Sequence, residues 1–75
     1  MIFDLKIENK IIFLIKPNPV KDILTISDER VEFEIYSIDS KFIFSGFDNQ
    51  INMVDFKNGV YFIKIYNTYY KIIKF

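Results

Sequence analysis

The chain has 75 residues, ten of them basic and ten acidic, with a formal net charge of zero and neither cysteine nor histidine. This excludes disulfide staples, the usual zinc sites and every imidazole-dependent triad, and the interspersed charges offer no basic face for nucleic acid. Hydrophobic residues make up 51% and aromatics 19%, which compensates for a single domain so small that it buries only about 60% of its unfolded surface.

Alanine is absent and isoleucine and phenylalanine dominate, a composition that favours strands over helices. Residues 2–8 alternate, with Phe3, Leu5 and Ile7 on one face and Asp4, Lys6 and Glu8 on the other, as in a half-buried strand. Asn9-Lys10 is a two-residue turn, and Ile11 to Ile15 is an apolar run of strand length. No signal peptide is expected in Met1 to Ile15. The apolar run is short, acids precede it and no small-x-small cleavage site follows. Nothing approaches the roughly 18 apolar residues of a transmembrane helix, so no transmembrane segment is expected.

Lys16-Pro17-Asn18-Pro19 comes next. Two prolines remove two backbone donors and push the preceding residues out of the helical region, so the segment is extended or turning. Ile23-Leu24-Thr25-Ile26 resumes as a strand with Leu24 and Ile26 inward, and Ser27 to Arg30 is a polar turn. Val31, Phe33 and Ile35 alternate with Glu32, Glu34 and Tyr36, the clearest strand in the chain. After a break at Asp39-Ser40, Lys41 to Ser45 completes a hairpin, with Phe42 and Phe44 on one face and Ile43 on the other. Gly46 to Gln50 reads as a loop and Ile51 to Val54 as a short strand.

Asn58-Gly59 is a strong turn signal, because both residues tolerate positive φ. The β-branched and aromatic run that follows is a strand with Tyr61, Ile63 and Ile65 inward, since Lys64 on the other face must reach water. With Phe56, the pattern Phe56-x-x-Gly59-x-Tyr61 resembles a tyrosine corner, in which a Tyr hydroxyl bonds backbone a few residues upstream and pins a crossover. The alternative is a hairpin turn into an ordinary strand. Asn67-Thr68 is a tight turn and Tyr69 to Phe75 the last strand. Turn signals recur at the roughly 8–12-residue spacing of a sandwich. The expected fold is therefore all-β: a small Ig-like antiparallel β-sandwich of about seven strands with Leu24, Ile26, Phe33, Ile35, Ile63 and Ile65 in its core.

Five segments stand in a telling order: Pro17-Asn18-Pro19, Asp22 to Ile26, Phe33 to Asp39, Asn58 to Ile65, and Lys71 to Lys74. Together they resemble the C-terminal sorting domain of type IX secretion (Por secretion) cargo proteins. In that family a P-N-P segment opens the domain, a G-x-Y segment precedes the penultimate strand, and a Lys-containing strand ends it. The resemblance covers residues 13–75 and leaves 1–12 as an upstream strand or linker. One departure is Ser40 before Lys41, where the family usually has Gly. Serine at positive φ costs more than glycine.

The resemblance implies a non-enzymatic address that directs an N-terminally attached cargo through the outer membrane. Its partners would be the type IX secretion machinery and a sortase-like surface peptidase. The location would be the periplasm in transit, then the cell surface or medium. Pro17, Asn18, Pro19, Gly59, Tyr61, Lys71 and Lys74 are the motif residues it singles out. Each also has a structural reading: a turn between sheets for the prolines, architecture for Gly59 and Tyr61, and protection of an edge strand for the lysines. Lys71 and Lys74, three apart, cannot share a face without a bulge.

Elsewhere the chemistry is sparse. Glu32 and Glu34 lack a nucleophile or base and read as a solvated strand face. Asp28, Asp39, Asp48 and Asp55 sit in turns without the ligand density of a calcium loop. No cofactor is expected. Tyr36, Tyr66, Tyr69 and Tyr70 could form an aromatic platform, so the alternative function is a small Ig-like adhesion or carbohydrate-binding module.

Overall fold

Alternating apolar residues can bury only one side of a strand, so these segments need a second layer to cover them. The computed structural model describes residues 11–75 and supplies that layer. The expected strand at 2–8 and turn at Asn9-Lys10 lie outside the described residues. Strands β1 (Phe13–Lys16), β2 (Ile23–Ser27) and β5 (Gln50–Asn52) form one sheet in the order β1-β2-β5. Strands β4 (Phe42–Asp48), β3 (Val31–Ser37), β6 (Gly59–Ile65) and β7 (Thr68–Lys74) form the other, in the order β4-β3-β6-β7. All strand pairs are antiparallel. The protein is a two-sheet all-β fold, as its turn spacing predicts.

The core draws on both sheets. Leu24, Ile26 and Ile51 from one meet Val31, Phe33, Ile35, Ile63, Ile65 and Ile72 from the other, with Val20 and Met53 between. All six residues expected inside are buried.

Several local expectations are corrected. Gly46 does not open a loop: it pairs with Phe33 inside β4, which runs on to Asp48, so that only Asn49 separates it from β5. A Cβ on Gly46 would lie 2.9 Å from the Phe33 ring, so glycine here marks a close approach rather than a break. Phe42 and Phe44 do not share a face. The register steps from Ile35↔Phe44 to Tyr36↔Phe42, a bulge that takes up one extra residue and flips the alternation. Phe42 therefore meets Tyr36 outside, whereas Phe44 meets Phe33 and Phe56. The last turn is Tyr66-Asn67, with Ile65 paired to Thr68, so β7 starts one residue earlier than expected. Tyr66 takes the positive φ of 57° that such a two-residue turn requires.

The β3–β4 turn confirms the concern over Ser40. The amide of Ser40 donates to the Ser37 carbonyl (2.9 Å), that of Ser37 to Lys41 (2.8 Å), and Ser40 has φ 70°. This is the three-residue hairpin loop whose left-handed position favours glycine. The Ser37 hydroxyl donates to the Asp39 carboxylate and holds that carboxyl below its ordinary range.

Two stability predictions follow from this packing. Ile63→Ala should cost about 2–5 kcal/mol, because Ile63 is wholly buried in the central pair β3–β6. Ser40→Gly should raise stability by about 0.5–1 kcal/mol, the left-handed penalty less the extra chain entropy of glycine. Urea midpoints of both variants check the two.

Candidate functional site

Strand β7 is the edge of the four-stranded sheet, and an edge leaves one row of backbone groups unpaired. The chain answers with residues 18–20, from the connection between β1 and β2. The Asn18 side-chain amide lies against β7 as a surrogate peptide. Its Nδ2 donates to the Lys71 carbonyl (2.8 Å), and its Oδ1 accepts from the Ile73 amide (3.0 Å). Val20 continues the pairing with its own backbone, donating to the Ile73 carbonyl (2.7 Å) and accepting from the Phe75 amide (3.0 Å). It forms a parallel bridge with Lys74. Both X–Pro bonds, Lys16–Pro17 and Asn18–Pro19, are cis. Pro17, Asn18 and Pro19 remain exposed, while Val20 is fully buried. The segment does not turn the chain from one sheet to the next. It connects two strands of one sheet and leans across to close the edge of the other.

On the far side of β7, Gly59 pairs with Lys74 and Tyr61 with Ile72. The P-N-P segment, Gly59 and the terminal lysines therefore converge at one end of the larger sheet. The β6–β7 register is unbroken, so Lys71 and Lys74 lie on opposite faces. Lys71 is exposed. Lys74 is only 7% exposed, on the same inward side as Ile72, and its Nζ donates to the Phe75 carbonyl (3.3 Å). A solvated protective role thus fits Lys71 and not Lys74, whose aliphatic stem extends the core.

The tyrosine corner forms. The Tyr61 hydroxyl donates to the Lys57 carbonyl (2.6 Å), four residues upstream, and the Phe56 ring packs edge-on against Tyr61 at 5.3 Å. Asn58-Gly59 is not a hairpin turn, because β5 and β6 belong to different sheets. The turn lies at Val54-Asp55, closed by the Phe56 amide on the Met53 carbonyl (3.0 Å). Gly59 has φ 153° and open space around its α-carbon, so its glycine is a requirement of backbone conformation, not of room.

The remaining candidates disperse. Tyr36 and Tyr69 meet at 6.1 Å on the outer face, but Tyr66 and Tyr70 both pack on Phe13, so the four tyrosines make no single platform. Glu34 accepts the Tyr36 hydroxyl (2.6 Å), a bond that raises the Tyr36 pKa. Asp28 ties down β1 by accepting the Ile12 amide (3.0 Å), and Asp48 accepts that of Asn49 (2.7 Å). Among the described residues no cluster of three potential ligands could hold a metal, and no helix is long and apolar enough to cross a membrane. Sequence reasoning missed Val20 and the amides of Ile73 and Phe75. A two-residue backbone contact leaves no periodic trace.

The described residues thus form a small two-sheet β-domain that carries a tyrosine corner and whose strand β7 is sealed by an upstream Asn-Pro element. The family described as the secretion system C-terminal sorting domain matches residues 14–75, and the chain belongs to it. Searches of curated proteins and of solved structures find no match. Membership makes this a sorting domain of type IX secretion, a family that is non-catalytic in general.

The geometry of the edge and corner predicts three stability losses. Tyr61→Phe should cost about 0.5–1.5 kcal/mol, the net value of one hydrogen bond. Gly59→Ala should cost more than about 1 kcal/mol, because φ 153° is foreign to an L side chain. Asn18→Asp should destabilise although it is nearly isosteric, because it sets a carboxylate oxygen against the Lys71 carbonyl. Hydrogen exchange should show the Ile73 and Phe75 amides losing protection in that variant first.

Proposed function

We propose that residues 13–75 act as a folded C-terminal address that directs an N-terminally attached cargo protein through type IX secretion to the cell surface or medium. The family match carries this reading, because it spans both the Asn18 segment and the β7 strand that this segment seals. In this reading the composite end of the larger sheet is what the machinery contacts. Pro17, Asn18 and Pro19, with the Lys71 ammonium, form its exposed part. Gly59, Tyr61 and the buried Lys74 hold it in shape. The prolines and the two amide bonds fix that surface before any partner arrives, which reduces the ordering cost of recognition. The periplasm is the compartment in which the folded domain would be read. A sortase-like surface peptidase would then act upstream of the domain.

The test is export of a reporter fused between a signal peptide and this domain, in a bacterium with type IX secretion. The intact fusion should reach the surface or medium. Deleting Tyr70 to Phe75 should retain the reporter in the periplasm. Lys71→Ala should lower export without shifting the urea midpoint, since the side chain is exposed. Lys74→Met keeps the volume of the buried stem and removes the charge, so it separates packing from recognition. Equal export from the intact and deleted fusions would falsify the sorting role.

A further inference from the structure

The two sheets end in four edges, and three are short or closed. β1 and β5 span only Phe13–Lys16 and Gln50–Asn52, and β7 is sealed by Asn18 and Val20. Strand β4 differs. It runs from Phe42 to Asp48, pairs with β3 on one side, and has no partner strand on the other among the described residues. Its apolar side chains are also open, with Phe42 57% and Phe47 60% exposed. A long edge of this kind pairs readily with another strand.

We propose that β4 pairs with β4 of a second copy of this chain, antiparallel about a two-fold axis at Ser45, to give one continuous sheet across the dimer. The register on β3 carries the argument. Counted by their β3 partners, β4 and the residue just before it run from Lys41, bonded to Ser37, to Asp48, opposite Val31, with Ser45 opposite Glu34 in the middle. Antiparallel self-pairing about Ser45 sets Lys41 of each copy against Asp48 of the other. Phe42 faces Phe47, and both lie on the outer surface where Tyr36 and Glu32 are their β3 partners. The bulge at Ile43–Phe44 falls opposite Gly46, which has no side chain to obstruct it. Ser45, small and exposed, sits on the axis. Pairing partners share a face throughout, which an antiparallel ladder requires. Two ion pairs and two phenylalanine pairs result from one strand meeting itself, so the charge pattern of β4 selects its own copy over an unrelated strand.

The absence of cysteine permits a clean test on the full 75-residue chain. Residues facing each other across an antiparallel ladder stand about 4.5–5.5 Å apart at Cα, within disulfide range. S45C should oxidise in air to a covalent dimer much faster than N58C, a control at another exposed position. In sedimentation, the mass of the unmodified chain should rise toward twice the monomer with concentration. K41D and D48K, each folded by circular dichroism, should each associate more weakly, and an equimolar mixture should recover association because unlike charges again face each other. S45C cross-linking no faster than N58C would overturn the proposal. So would association weaker than a dissociation constant of about 1 mM for the unmodified chain. Either result would leave the edge to a strand from another polypeptide.

Discussion

The fold depends on how the final strand is closed. A sheet edge leaves alternate amides and carbonyls without partners, and in so small a domain each lost backbone bond is a sizeable fraction of the total stability. Asn18 answers with a side-chain amide, which carries the same donor and acceptor as a peptide group. Val20 continues the ladder and places an apolar side chain in the core at the same time. One short segment thus joins the edge of the larger sheet to the connection between β1 and β2. Its prolines contribute no amide of their own and leave the pairing to Asn18 and Val20.

The second constraint is the crossing from β5 to β6, which changes sheets and cannot be a hairpin. Tyr61 pins it from the strand side through the Lys57 carbonyl, Phe56 packs against the Tyr61 ring, and Phe44 packs in turn against Phe56. Gly59 supplies the backbone conformation at the start of β6, opposite Lys74. The corner and the sealed edge therefore act on the same strand pair from its two sides. That places both hydrogen-bonded constraints at the end of the sheet where the family motifs meet.

Much of this was legible in the sequence, and the reason is local. Period-two alternation is a property of a strand alone, so the inward faces of β2, β3 and β6, and with them Leu24, Ile26, Phe33, Ile35, Ile63 and Ile65, follow from residue order. The corner was legible because its donor and acceptor are four residues apart. Ser40 was singled out only through the family resemblance, which usually has glycine there, and its positive φ in the short hairpin loop accounts for that preference.

Only the tertiary structure decided the rest, because each remaining feature arises from a pairing between distant residues. Gly46 looks like a breaker until the Phe33 ring is seen lying over it. Phe42 and Phe44 part company because a bulge shifts the register against β3, and a bulge is a property of two strands together. Lys74 is buried because β7 turns that face toward the core, which no charge count reveals. Asn18 meets Lys71 and Ile73 across 53 and 55 positions of chain, and a hydrogen bond between such distant residues leaves no periodicity in either segment.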